Sequence, residues 1–190
     1  MSSNPNPGQL SPLSPITRYI TGHNAEGKAI VQTSNPAEWA SFENSTMAFT
    51  VAYTTSSFPA DLNNDADLIE HERVKASGNL GLVNPNGTVC RFVDFAPRSP
   101  PVMHRTQSLD YGIVLEGVVE MRLDSGEVKL LKKGDVAVQR ATMHAWFNPS
   151  ETEWTRMVFV LQDCKPLVVG GKELGEDLSG TRTNDIKPSR

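Results

Sequence analysis

Short segments in which apolar and polar residues alternate fill most of the chain after residue 87, and turn residues separate them. Because side chains of a strand point alternately to its two faces, this pattern predicts strands that each bury one side. Turn signals such as Asp124-Ser125-Gly126 and Gly134-Asp135 fall between them. The predicted strands are 18–20, 29–32, 48–55, 88–95, 113–116, 118–123, 127–131, 136–139 and 155–162. The pattern predicts an all-β sandwich or barrel.

The ends of the chain differ from this pattern. Residues 1–15 hold four of the thirteen prolines together with Ser and Asn, so we expect a flexible leader. Residues 16–169 form the predicted barrel, and 167–169 could add a short final strand. Glycines and scattered charges follow, which predicts a loosely attached tail over 170–190. The acidic segment 57–78 is interpreted as a solvated loop or short helix over the barrel mouth, or alternatively as a lid.

Length and charge limit the possible functions. At 190 residues, the chain is long enough for one barrel but too short for two. A formal net charge of -4 argues against nucleic acid as a partner, since phosphates require a cationic face. The sequence has neither a run of about 18 apolar residues nor a charged start followed by an apolar stretch. We therefore expect no membrane partner and a cytoplasmic location.

Two segments carry the residues best suited to chemistry. The first contains His104, Thr106 and Asp110 and ends at Gly117; the second contains His144 and Asn148. If both segments are regular strands facing inward, two imidazoles and a carboxylate converge inside the barrel. Neutral imidazoles with one carboxylate are ligands for a divalent transition metal and leave coordination positions open.

These segments resemble the paired motifs of the cupin superfamily. In the first motif Thr106 stands where a second His is usual, and Asp110 replaces a Glu. The second motif opens with a glycine, and Gly134 matches it. Arg140 and Thr142 stand where this motif usually has Pro-x-Gly. The resemblance covers residues 88–162 and implies a single double-stranded β-helix, the cupin jelly-roll barrel. The chain resembles small single-domain cupins described as oxidoreductases of natural-product pathways.

The resemblance implies a ligand set and a pocket. A divalent metal such as Fe, Mn or Zn would be held by His104, Asp110 and His144. A barrel of this type without a metal is the alternative. Arg140 could reach the barrel mouth and bind a carboxylate or enolate by its planar fork. Further residues are expected to line an apolar pocket: Phe92, Thr106, Gly112, Met121, Trp146, Asn148 and Phe159.

Three functions stay open on the sequence. The first is a metal-dependent oxidoreductase or oxygenase acting on an apolar or aromatic, polyketide-like metabolite. The second is a metal-free lyase or isomerase, such as a dehydratase or decarboxylase, that uses His acid–base chemistry. The third is a ligand-binding barrel without turnover. The expected partners are a small-molecule substrate and, by resemblance, a second copy of the chain in a homodimer.

Overall fold

Two antiparallel sheets enclose one core in the computed structural model, which describes residues 8–182 and 185–190. The strands are β1 (Thr17–His23), β2 (Ala29–Pro36), β3 (Ala40–Phe42), β4 (Met47–Thr55), β5 (Thr88–Phe95), β6 (Ser108–Glu116), β7 (Val118–Leu123), β8 (Val128–Lys132), β9 (Val136–Arg140), β10 (His144–Phe147), β11 (Thr155–Asp163), β12 (Leu167–Val169) and β13 (Lys172–Leu174). The larger sheet has the order β3-β4-β5-β11-β6-β9, and the smaller has the order β10-β7-β8. β1 pairs with β2, and β12 pairs with β13. The all-β prediction is confirmed.

The core follows directly from the alternation along the central strands. In β5 the inward residues Val89, Val93 and Phe95 are almost fully buried. Val119 and Trp146 of the smaller sheet belong to the same apolar cluster. Burial of these side chains supplies most of the driving force that holds the two sheets together.

One helix, α1 (Ala66–Ser77), lies within the acidic segment for which the sequence allows a loop, a short helix or a lid. It packs against β4, and its buried residues are His71 and Val74. It ends at Gly78, whose positive φ of 62° suits a helix C-terminus. No residue of α1 lines the cavity between the two sheets. Within the residues that the structure describes, no helix is long and apolar enough to cross a membrane.

The expected flexible leader is tied to the barrel over the part that the structure describes; residues 1–7 lie outside it. The Ser11 hydroxyl donates a hydrogen bond to Asp94 Oδ2 at 2.5 Å. Arg156 Nη1 donates to the carbonyl of Ser14 at 2.6 Å. Two buried ionic side chains, those of Asp94 and Arg156, therefore bind the segment at Ser11 and Ser14, while the flexibility of the leader stays a prediction.

The expected loose tail also contacts the barrel. Backbone hydrogen bonds of 2.8 Å join Arg105 and Asp177 in both directions. Leu178 and Ile186 pack against the core, and the Ser189 hydroxyl accepts a hydrogen bond from the Val83 N–H at 3.0 Å. The segment after residue 169 therefore packs on the barrel through two apolar side chains, Leu178 and Ile186. Its glycine-rich composition did not predict this packing.

Candidate active site

A cavity of about 70 Å³ lies between the two sheets. Four of its lining side chains are polar: Arg91, His104, Asp110 and His144. The remaining wall is apolar and consists of Met47, Phe49, Leu82, Val93, Phe95, Val102, Trp146, Phe159, Leu161 and Ile186. A few converging polar groups in an apolar cavity are the usual composition of a small-molecule site.

The two motif histidines face each other at one side of this cavity. His104 and His144 form an antiparallel bridge, and each backbone N–H donates to the other's carbonyl at 2.9 Å. Residues paired in this way present their side chains on the same face of the sheet. Their ring centroids are accordingly 4.5 Å apart.

Hydrogen bonds to carbonyl groups fix the tautomer of both rings. Nδ1 of His104 lies 2.9 Å from the carbonyl oxygen of Val102, and Nδ1 of His144 lies 2.9 Å from that of Thr142. Because a carbonyl can only accept, each Nδ1 carries the proton and each Nε2 keeps its lone pair. Burial lowers the pKa of His144 to about 3 and also lowers the pKa of His104. Both rings are therefore neutral nitrogen donors.

Asp110 lines the same cavity from the opposite sheet. Its carboxylate accepts hydrogen bonds from the Ser108 hydroxyl at 2.5 Å and from the Thr106 hydroxyl at 3.1 Å. Burial raises the pKa of Asp110 to about 6, although both hydroxyl groups and the charge of Arg91 oppose this rise. Thr106 thus positions Asp110 and does not line the cavity, while Ser108 is a partner that the sequence motifs did not indicate.

The raised pKa of Asp110 predicts a specific pH dependence of stability. The native state binds this proton more tightly than the unfolded state, so the contribution of Asp110 is most favourable below about pH 4. It declines as the pH rises through about 6, by up to about 3 kcal/mol. Urea denaturation at a series of pH values measures this effect as the difference in free energy of unfolding between the wild type and Asp110→Asn. This difference should fall by the same amount between about pH 4 and pH 7. A difference that stays constant over this range would contradict the raised pKa.

The predicted three-ligand metal set is not formed. Among residues 8–182 and 185–190, no three His, Cys, Asp or Glu side chains lie together at metal-binding spacing. Asp110 belongs to the larger sheet and its oxygens point to hydroxyl groups of its own segment, whereas His144 belongs to the smaller sheet and His104 is bridged to it. Two nitrogen donors, His104 and His144, fit a metal; Asp110 does not complete their ligand set.

Two predicted aromatic residues, Trp146 and Phe159, do line the cavity, but Phe92 does not. Phe92 lies on the outer face of β5 and packs against the cluster that contains Trp39. Its neighbour Arg91 faces inward instead. The motifs did not include Arg91, although strand alternation places residue 91 on the same side as the buried residues 89 and 93.

The remaining predicted pocket residues, Gly112, Asn148 and Met121, pack or form hydrogen bonds within the protein and do not line the cavity. A Cβ on Gly112 would lie 2.9 Å from the Phe159 ring, so this glycine makes room for Phe159 and not for a ligand. Asn148 Nδ2 donates to the carbonyl groups of Phe95 and Glu153, at 3.1 and 2.8 Å. Met121 receives the amide of Gln139 at its sulfur and does not line the cavity.

Arg140, predicted to bind an anionic group at the barrel mouth, also lies away from the site. It is exposed at the end of β9, an edge strand of the larger sheet. The outward position follows from alternation, because the neighbouring residue 139 is the buried one. Arg140 is therefore not part of the cavity.

Comparison with known proteins identifies close relatives, although no family model matches. The chain is 43% identical over 173 residues to phomopsin biosynthesis cluster protein D of Diaporthe leptostromiformis, covering 90% of each protein. It is 42% identical over 165 residues to oryzines biosynthesis cluster protein J of Aspergillus oryzae, covering 86% of this chain and 91% of that protein. It is also 42% identical over 172 residues to the cupin-domain-containing oxidoreductase virC of Hypocrea virens, covering 89% of this chain and 84% of that protein. With this identity over nearly the full length, the chain belongs to the family of cupin-domain-containing oxidoreductases.

Proposed function

We propose that this protein is an oxidoreductase of a small apolar or aromatic metabolite and that His104 and His144 hold a divalent transition metal through their Nε2 atoms. The observation that carries the proposal is the pair of hydrogen bonds from Nδ1 to the Val102 and Thr142 carbonyl groups. Metal-binding histidines usually donate their other N–H to such a partner, which fixes the ring and leaves the second nitrogen available. The names of the relatives support an oxidoreductase.

The low pKa of His144 favours a ligand role over a role as proton acceptor. A ring with a pKa of about 3 takes up a proton near neutral pH only at a cost of about 5 kcal/mol. A metal, in contrast, requires the deprotonated nitrogen. When bound, a redox-active metal with open positions would supply binding and activation of dioxygen or of a substrate oxygen.

The other cavity residues would bind the substrate and exclude water. Trp146 and Phe159 form an apolar wall suited to a ring or hydrocarbon group. The cavity of about 70 Å³ is smaller than the roughly 150 Å³ cavity that holds benzene, so we expect only the reacting end of a larger metabolite to enter. Asp110 can hold or release a proton at its carboxyl group because its pKa is close to neutral.

Elemental analysis of protein purified without chelator tests the metal site. We expect close to one equivalent of a transition metal in the wild type and in Asp110→Asn, and only a small fraction of this in His104→Ala and His144→Ala. His23→Ala is the matched control, since His23 is exposed and lies outside the cavity. Metal retained equally by the His104 and His144 variants, or absent from the wild type after addition of iron, manganese or zinc, would overturn the proposal.

The second candidate function is a metal-free lyase or isomerase, and Asp110 is the observation that favours it. A buried carboxyl group with a pKa of about 6 can act as a general acid or base near neutral pH. Turnover that survives exhaustive chelation but is lost in Asp110→Asn would establish this function. Turnover that chelation abolishes and the added metal restores would exclude it.

We also propose that the protein is a homodimer. The outer face of the larger sheet exposes apolar residues on its β6–β9 side: Tyr111, Val136 and Val138 are 39%, 56% and 52% exposed. Adjacent strands with exposed apolar side chains are typical of a surface that another chain covers. Light scattering after size-exclusion chromatography should give twice the chain mass, and substitution of Val136 and Val138 by Thr should shift it toward the monomer. A monomer mass for the wild type would contradict the proposal.

A further inference from the structure

Arg91 is a buried cation in the wall of the cavity. It lies on β5 between Val89 and Val93, and only 5% of its surface is exposed. Its Nη2 donates hydrogen bonds to the carbonyl groups of Gly81 and Leu82, at 2.7 and 2.9 Å. Its Nε is buried and has no hydrogen-bond partner among the residues that the structure describes.

The charge of Arg91 is also not neutralised by an ion pair. Within the described part of the chain, no carboxylate lies within 4.0 Å of its guanidinium. Asp110 is near enough to influence it, but the oxygens of Asp110 are bound by Ser108 and Thr106. The guanidinium also lies over the Phe49 ring, 5.7 Å from its centre, but such a contact offsets only part of the cost of burying a charge. A buried charge without an ion pair and a buried donor without a hydrogen bond are both unfavourable, and binding of an anion would compensate both.

We propose that Arg91 binds the carboxylate of the substrate, which is therefore a small apolar carboxylic acid. This inference rests on the proposed function, because it places the substrate in the same cavity. Because Nη2 already donates to two carbonyl groups, the Nε–H is the donor that a carboxylate would take in a charge-assisted hydrogen bond, and the cavity volume of about 70 Å³ suits this compact anion. Arg91 is paired within the larger sheet with Phe159, while His144 lies on the smaller sheet with His104 bridged to it. The acid group is held at one wall, and the rest of the molecule faces the histidines.

A role confined to holding the chain at residues 81–82 accounts for less of the structure. That role uses only Nη2 of Arg91, and a neutral side chain with an N–H donor could form the same hydrogen bonds to the two carbonyl groups. It leaves Nε buried without a partner in the described part of the chain, and it leaves the charge of Arg91, which lies over the Phe49 ring, without an ion pair there. A carboxylate ligand accounts for both features.

Calorimetric binding of matched acids and amides tests the proposal. The probes are acetate, propionate and butyrate, each compared with its primary amide, which has nearly the same shape without the charge. In the wild type we expect at least one acid to bind about 10- to 100-fold more tightly than its amide. Arg91→Gln should abolish this preference, and Arg91→Lys should retain part of it, with folding verified by circular dichroism.

Arg105→Gln is the matched control, since Arg105 also donates to a carbonyl group, that of Gly175, but does not line the cavity. It should keep the preference for the acid. Wild-type protein that binds no acid more tightly than its amide, or an Arg91→Gln protein that keeps the preference, would overturn the assignment of Arg91.

The same titration separates this inference from the proposed metal site. His144→Ala should lose metal while it still prefers the acid, because Arg91 is on the other sheet. Loss of the preference in His144→Ala, with Arg91 intact, would assign the carboxylate to the metal and refute its binding by Arg91. A wild type that contains no metal but prefers the acid would refute the metal site and leave the role of Arg91 supported.

Discussion

Replacement of Asp94 by Ala should destabilise the fold by about 3–5 kcal/mol, because it leaves a buried guanidinium without its partner. Asp94 is fully buried and Arg156 is 3% exposed. The two are cross-strand neighbours in β5 and β11, and their two-point contact has distances of 2.6 and 2.7 Å. Ser11 donates a third hydrogen bond to Asp94, so the substitution also releases the N-terminal segment.

Urea denaturation followed by circular dichroism measures this effect, with an exposed ion pair as the control. Lys133 and Glu116 lie 3.3 Å apart with both side chains largely in solvent, so Glu116→Ala should change the free energy of unfolding by less than about 1 kcal/mol. The double variant Asp94→Ala with Arg156→Met should be more stable than Asp94→Ala, since it removes the unpaired charge. A loss in Asp94→Ala no larger than that in Glu116→Ala would contradict the structural role of the pair.

The same strand illustrates which features of the fold could be predicted from sequence. Alternation over residues 88–95 correctly predicted β5, because burial of one face imposes a period of two. It could not reveal that Asp94, on the other face, is also buried. That burial depends on Ser11, which is 83 positions away, and on Arg156 in β11. The attachment of the N-terminal segment follows from these distant contacts, whereas its proline-rich composition indicated only flexibility.

The site was predicted in part for a similar reason. His104 and His144 were correctly expected to share a cavity, since both motifs place them on inward positions of strands. Among the described residues Asp110 is not grouped with them, because spacing along the chain does not show which sheet a residue joins or which hydroxyl groups bind it; the three-ligand set stays a prediction. Arg91 was missed because a charged residue in a strand is usually exposed, and only its position between residues 89 and 93 indicated an inward direction.

Addition of the correct divalent metal should stabilise the apoprotein by about 4 kcal/mol at a free concentration 1,000 times the dissociation constant, because the folded state alone presents both imidazoles together. In an unfolded chain His104 and His144 are separated by 39 intervening residues, so their paired Nε2 atoms exist only when the bridge between the two strands is formed. Thermal unfolding of chelator-treated protein, with iron, manganese or zinc added separately, measures the shift in Tm and identifies the preferred metal.

His144→Ala should lose this stabilisation, and His23→Ala, which alters an exposed histidine, should retain it. Asp110→Asn should also retain it, because the Asp110 carboxylate is bound by Ser108 and Thr106 and not grouped with the histidines. If Asp110→Asn instead behaved like His144→Ala, the carboxylate would have to leave its two hydroxyl partners on metal binding, and the three-ligand set predicted from the sequence would be correct. If all variants gained equal stability from the metal, binding would occur outside this cavity.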